Sequence, residues 1–105
     1  VSQALPSDDA TLTDRVLACV NSIPVGKVMS YGDVAEYIGT RAARSVGRIL
    51  ASDGGGVAWH RVLRHDGSCA PHIRDEQLSR LSAEGVPIRN GRVDMAAARW
   101  DGRSG

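Results

Sequence analysis

The sequence predicts a mainly α, winged helix-turn-helix domain that carries a small β-hairpin. Three observations lead there. Apolar residues recur at helical spacing over the first quarter of the chain, two short helical patterns meet at a single glycine, and an Asn-Gly pair separates two short apolar runs near the end. Helical spacing repeats an apolar side chain every three or four residues and strand spacing every second one, and the first pattern dominates. At 105 residues the chain is long enough for one core without metals or disulfides. A single domain over 1–105 is therefore expected, with flexible ends at 1–7 and 101–105.

Each element has its own signal. Leu12, Val16, Cys19, Val20 and Ile23 form the stripe of an amphipathic helix over Asp9–Ser22. Thr11 with Asp14 offers an internal capping box, so the start of this helix stays open. Pro24 and Gly26 end it, and Val25–Met29 is expected to be short and extended. Ser30 followed by Asp33 is a capping box for a helix over Tyr31–Ile38, on which Tyr37 is a candidate core residue; Gly39 is its stop. Thr40 reads as the cap of the next helix, Arg41–Ser52. At about 100° per residue, Arg41, Arg44, Ser45, Arg48 and Ser52 fall within an arc of about 100°. Ala42, Ala43, Val46, Ile49 and Leu50 cover the opposite side. Two short helices joined by a tight glycine turn, the second presenting arginines, make a helix-turn-helix pattern.

Beyond it, Asp53-Gly54-Gly55-Gly56 reads as a flexible loop, Val57–Leu63 as a buried or extended run, and Asp66-Gly67 as a turn. Ile73, Leu78 and Leu81 predict a helix over about 73–84, closed by Gly85. Val86 and Ile88 alternate, Asn90-Gly91 signals a type I′ hairpin, and Val93 resumes the apolar pattern, which makes a candidate wing. Met95–Trp100 is expected to pack the end of the domain. There are no repeats and no low-complexity stretches.

The net charge of +1 conceals an asymmetry. Residues 1–40 carry two basic against five acidic side chains. Residues 41–65 carry five arginines against Asp53, and 66–105 balance. A basic centre in a near-neutral chain fits a polyanionic partner, although a solvated charged face would read the same way. Cys19 and Cys69 are isolated, with no CxxC spacing, so neither a disulfide nor a zinc site is expected; Cys19 falls on a helix's apolar stripe and reads as core. No apolar run reaches 18 residues, which excludes a transmembrane helix. No signal-peptide pattern opens the chain, so a cytoplasmic location, the bacterial nucleoid included, is expected. Nothing calls for a metal or another cofactor.

The segment with the most chemistry is Ala58-Trp59-His60-Arg61-Val62-Leu63. Read from its residues alone, it is a buried strand with a histidine at its mouth. Three other segments matter: Ile23-Pro24-Val25-Gly26-Lys27-Val28-Met29-Ser30-Tyr31-Gly32, Ala42-Ala43-Arg44-Ser45-Val46-Gly47 and Leu81-Ser82-Ala83-Glu84-Gly85-Val86. In this order the four resemble the O6-alkylguanine-DNA alkyltransferases. That family reads Ile-Pro-x-Gly-x-Val-x-Thr-Tyr-Gly, Ala-Arg-x-Val-Gly, Pro-Cys-His-Arg-Val and Leu-x-x-Glu-Gly-Val at the corresponding places. Its nucleophilic cysteine is replaced here by Trp59, which points to the alkyltransferase-like subfamily that binds alkylated guanine without repairing it.

The resemblance implies roles that physical chemistry can weigh. The family arginine matching Arg44 is a finger that fills the gap left by a flipped nucleotide; a planar cation that stacks there recovers part of the cost of extrusion. Arg41, Ser45 and Arg48 share its face and suit DNA phosphates. The tyrosine matching Tyr31 pushes the target phosphate, with Ser30 and Gly32 beside it at a helix N-terminus. Alkyl transfer needs a thiolate. Indole has none, but its face suits a purine and its alkyl group, so Trp59 is read as a lesion contact rather than a catalytic group. His60 and Glu84 match the histidine and glutamate that activate the thiol; without it they read as vestigial, and a His–Glu bond holding strand to helix explains them as well. Arg61 is expected to pair with a carboxylate or a helix end. Arg74 is the best match for an arginine that sits over the lesion base. Two departures bear on the pocket's width: Ala58 replaces a proline and the Asp53–Val57 loop is short; the lack of a Tyr-Ser-Gly-Gly after Leu63 counts against alkyl transfer.

The function implied is non-enzymatic binding of O6-alkylguanine in duplex DNA by nucleotide flipping, marking damage for nucleotide excision repair proteins, with the chain a monomer. Two alternatives remain open at this point. One is a winged-helix regulator that reads DNA sequence, which would need a dimer. The other is an active methyltransferase that uses Cys69, which lies ten residues beyond Trp59 with no motif around it.

Overall fold

The computed structural model describes residues 8–103. The expected looseness of 1–7 and of 104–105 falls outside that range. Over 101–103 the chain forms a small turn, in which Arg103 N–H donates to Asp101 and the Trp100 indole donates to the Arg103 carbonyl.

The first helix, α1, spans Asp8–Ser22. Its stripe of Val16, Cys19 and Val20 is buried, as sequence spacing predicts. Strand β1 (Met29–Ser30) leads directly into helix α2 (Tyr31–Tyr37). The capping box forms in full: Asp33 N–H donates to Ser30 Oγ and Ser30 N–H donates to Asp33 Oδ2, both at 3.0 Å. Helix α2 ends at Gly39, whose φ is +80°. Thr40 N–H reaches the Ala35 carbonyl at 2.9 Å and Gly39 N–H the Glu36 carbonyl at 3.1 Å, a Schellman closure. Tyr37 departs from expectation. It is 50% exposed and lies against Trp100, because the core side of this short helix is filled by Val34, Ala35 and Ile38.

Helix α3 spans Ala43–Asp53 and so starts two residues later than predicted. Thr40 does not cap it. Its hydroxyl accepts from Ala42 N–H at 3.2 Å, which closes a turn ahead of the helix and leaves Ala42 as a cap without a side-chain bond. Arg41 consequently sits in the turn rather than on the helix. The triple glycine is a tight 3-10 turn, Gly54–Gly56. The run expected to be extended is also coiled at its start, where Trp59–Arg61 forms a second 3-10 turn and only Val62–Leu63 is strand β2. The local reason is hydrogen bonding: Trp59 N–H donates to the Val57 carbonyl at 2.8 Å and Arg61 N–H to Ala58 at 3.0 Å.

Strands β1 and β2 pair in parallel, Met29 opposite Val62 and Ser30 opposite Leu63. This contact was not foreseen, and it positions the start of α2 beside the Trp59 turn. Pro71–Ile73 makes a third 3-10 turn, followed by α4 (Arg74–Ala83), which Gly85 closes at φ +83°. Strands β3 (Ile88–Arg89) and β4 (Arg92–Val93) form the predicted hairpin. Asn90 and Gly91 have φ of 55° and 76°, as a type I′ turn demands. Helix α5 (Met95–Ala98) leads to Trp100, which is 8% exposed. Two buried clusters result. One joins α1, α2 and α3 with Trp100, and the other joins Val28, Leu63, Cys69 and Leu81 with the hairpin. Among the described residues no helix is long and apolar enough to cross a membrane, and no group of three His, Cys, Asp or Glu side chains gathers as metal ligands would.

Candidate nucleic-acid interface

A cavity of about 380 Å³ opens between α2, α3 and the segment that leads into α4. Tyr31 and Trp59 line it, Gly47, Leu50, Ala51 and Gly54 of the α3 side form one wall, and Ala70, His72 and Ile73 form the other. Its lining is predominantly apolar, which suits a flat heterocycle. Tyr31 is placed by the capping box and the β1–β2 pairing, and Trp59 by the coiled turn.

Trp59 is half-buried and held from outside the cavity. The Arg80 guanidinium stands 5.5 Å from its ring centroid, and Glu76 fixes Arg80 through bonds of 3.1 and 2.8 Å. A cation over an indole face is attractive, so the ring is steadied without a group inside the pocket.

His60, the next residue, does not line the cavity. It is 8% exposed, and its Nε2 lies 2.8 Å from Glu84 Oε2. Arg61 grips the same carboxylate with Nε and Nη2, at 2.9 and 2.7 Å, and donates from Nη1 to the Ile23 carbonyl at 2.7 Å. Arg61 thus meets both a carboxylate and a helix end. Glu84 is the C-cap residue of α4. Its side chain ties α4 to the Trp59–Arg61 turn, and Arg61 carries the link on to the segment that follows α1. The hydrogen bonds from Arg61, working against partial burial, hold the Glu84 carboxyl down at about 2, with His60 adding to them. An ionised carboxylate only accepts, so His60 Nε2 carries the hydrogen, and His60 Nδ1 is buried without a partner among the described residues. Gln77 fixes the same turn by donating to the carbonyls of His60 and Val62 at 3.1 and 2.8 Å. This arrangement joins α4 to the Trp59–Arg61 turn and lies outside the residues that line the cavity.

The remaining site residues divide between places. Arg44 and Arg48 are exposed on α3, Ser45 between them is half-buried, and Arg41 is exposed ahead of the helix. Arg48 donates to Ser45 at 3.3 Å. At about 100° per residue, Arg44 lies only about 20° round the helix from Ala51, two turns nearer the N-terminus. It therefore extends the face that lines the cavity. Ser30 is buried and its hydroxyl is committed to the α2 cap, while Gly32 is exposed beside it. Arg74 does not line the cavity. It projects towards the hairpin, where a Cβ on Gly91 would overlap its guanidinium. The adjoining His72 and Ile73 occupy the cavity wall instead. Sequence reading missed His72, as it missed Arg80, because neither stands in a motif or a periodic pattern. Cys69 is 6% exposed in the second core cluster; burial pushes its thiol up, against the pull of Arg74 and Arg64.

Comparisons with known proteins agree with this geometry. Residues 11–86 match the family described as 6-O-methylguanine DNA methyltransferase, DNA binding domain. The chain is 41% identical over 93 residues to a DNA base-flipping protein of Escherichia coli, an alignment spanning 83% of this chain and 72% of that protein. It is 36% identical over 81 residues to Alkyltransferase-like protein 1 of Schizosaccharomyces pombe, spanning 70% and 75%. The crystal structure of S. pombe Atl1 with damaged DNA containing O6-carboxymethylguanine superposes with a TM-score of 0.79 at 29% identity, over 87% of this chain and 95% of that one. On the matched residues and this shared architecture, the chain belongs to the family of the 6-O-methylguanine DNA methyltransferase DNA-binding domain.

Proposed function

We propose that the chain binds duplex DNA containing O6-alkylguanine, turns the modified nucleotide out of the stack, and holds its base between Tyr31 and Trp59 without transferring the alkyl group. The observation that carries this reading is the apolar cavity with Tyr31 and Trp59 on its walls and Arg44 on the same face of α3. The solved complex of S. pombe Atl1 with O6-carboxymethylguanine DNA supports it. Extruding a base costs a few kcal/mol, and Arg44 stacked in the gap returns part of that. Arg41 and Arg48 take flanking phosphates, with Ser45 packed between the helix arginines. Tyr31 displaces the target phosphate, with Gly32 beside it leaving room for the strand. His72, on the cavity wall, faces the held base; Arg74, two residues on, reaches a lesion only if this segment shifts on binding.

Transfer would need a thiolate near the cavity. Trp59 has no such chemistry, and burial keeps the Cys69 thiol protonated within the core. The chain works as one domain and as a monomer, and the DNA it deforms is then recognised by nucleotide excision repair proteins. The test compares affinities for duplexes with and without one O6-methylguanine. Stacking on an aromatic side chain is worth about 1–3 kcal/mol per base, so Trp59→Ala is expected to cut the preference for the modified duplex about 5- to 150-fold. Arg44→Ala should weaken binding to the modified duplex more than to the plain one. A preference unchanged by both substitutions would refute the proposal.

A further inference from the structure

A second cleft, of about 330 Å³, lies on the other side of the segment that walls the first cavity. Ala70, His72 and Ile73 face one, and Ser68, Cys69, Pro71 and Arg74 face the other. The hairpin turn closes the second cleft with Asn90, Gly91 and Arg92. Two guanidinium groups and no carboxylate line it. Arg74 has no acidic partner among the described residues. Arg92 has only a loose one, Asp66 at 4.0 Å, with both side chains well exposed. Arg64 adds to the local field, since its charge bears on both Tyr31 and Cys69.

The cleft is also stiff. Val93 N–H donates to the Gly67 carbonyl at 2.9 Å, and Gly67, at φ +83°, packs so closely that a Cβ would overlap the Val93 carbonyl. The hairpin is thereby fastened to the 64–68 turn, which sets the backbone of Arg92 beside the cleft that Arg74 also lines.

The geometry points to this cleft as a binding site for a DNA backbone phosphate, held between Arg74 and Arg92 on the strand that leaves the lesion pocket. The inference rests on the proposed binding of duplex DNA. It assigns Arg74 to positioning the duplex rather than to reading the modified base. Two cations on a preformed concave surface suit a phosphodiester, and such contacts carry no sequence or lesion information. The two pockets share one wall, the segment 70–74, which puts the arginine pair next to the site proposed for the flipped base.

The assignment is tested by the salt dependence of binding. Each phosphate contact contributes about −0.9 to the slope of log K against log salt. Arg74 and Arg92 share one phosphate, so the pair Arg74→Gln/Arg92→Gln should flatten the slope by about 0.9 for both plain and O6-methylguanine duplexes. Between 50 and 200 mM salt the wild type should lose about 3- to 4-fold more affinity than the double variant. The ratio of affinities for modified and plain DNA should not change, and Arg103→Gln, the loss of one charge elsewhere, should leave the slope nearly as it was. An unaltered slope overturns the assignment. So does a fall in the lesion ratio for Arg74→Gln alone, which would make Arg74 a reader of the base. A wild type with no lesion preference, whose slope the double variant still flattens, would sink the lesion reading and leave the phosphate cleft standing.

Discussion

Replacing Glu84 with alanine tests whether the histidine and glutamate of the family motif hold this fold together. The carboxylate accepts two hydrogen bonds from Arg61 and one from His60, and the Glu84 and Arg61 side chains are 16% and 14% exposed. Removing one partner of a buried pair costs about 3–5 kcal/mol, because the other charge is left uncompensated. Partial solvent access at the edge of this pair, and the Ile23 carbonyl that Arg61 keeps, reduce the expected loss to about 2–3 kcal/mol. That is a large share of a domain stability of about 5–15 kcal/mol, and it corresponds to a fall in Tm of about 10–20 °C for a chain of this size. Urea unfolding followed by far-UV circular dichroism reads the effect as a lower midpoint at unchanged slope. Glu76→Ala is the control. Its pair with Arg80 is 51% and 58% exposed, so its loss should cost no more than about 0.5 kcal/mol. Because neither His60 nor Glu84 lines the cavity, Glu84→Ala should keep its preference for O6-methylguanine at temperatures where it is folded. A midpoint within experimental error of the wild type, or a folded variant that has lost lesion preference, would refute the clamp.

Three further outcomes follow from the same contacts. The Glu84 carboxyl is lowered from 4.5 to about 2, so the stability it contributes is complete above pH 4.5 and is lost as the pH falls from 4.5 towards 2. The ideal value of such a shift is about 3 kcal/mol, and solvent screening leaves about 1–2; the loss should be absent from Glu84→Gln, as thermal melts at pH 3 and pH 6 would show. Gly67→Ala should cost about 2–4 kcal/mol, since alanine must take a positive φ and collide with the Val93 carbonyl; a melt within 0.5 kcal/mol of wild type (about the scatter of surface substitutions) would disprove the fastening of hairpin to turn. Arg80→Ala removes the cation from the outer face of Trp59 and should lower lesion affinity about 2- to 5-fold, in keeping with about 0.5–1 kcal/mol for an exposed cation–π contact; an unchanged affinity would mean that the indole needs no such support.

What was legible in the sequence was local. Ser30 and Asp33 are three residues apart and form their capping box whatever surrounds them, and Asn90-Gly91 dictates its own turn by accepting positive φ at both positions. The periodic stripe of α1 is equally self-contained. Errors arose where neighbours compete. Thr40 could cap a helix at Arg41, but its hydroxyl bonds Ala42 instead, and α3 starts later. Trp59 to Arg61 has the composition of a strand, yet the turn closes because Glu84 and Gln77 draw the His60–Arg61 backbone and side chains towards α4. Of the site, Tyr31, Trp59 and Arg44 were identified through motifs, and the structure brings the first two together with Arg44 on the adjoining face. Arg80 was invisible because its role depends on Trp59, 21 residues earlier in the chain, and His72 because it stands in no motif or periodic pattern. Arg74 was singled out from its place in a loop, but the loop's course carries it to the hairpin side.

The most direct test is equilibrium binding to two duplexes that differ only by one O6-methylguanine, at fixed salt, followed by the intact mass of the recovered protein. Tighter binding to the modified duplex with an unchanged mass is the predicted result. A mass increase of one methyl group would make the chain an alkyltransferase despite Trp59, and equal affinity for the two duplexes would leave a DNA-binding domain that reads something other than this lesion.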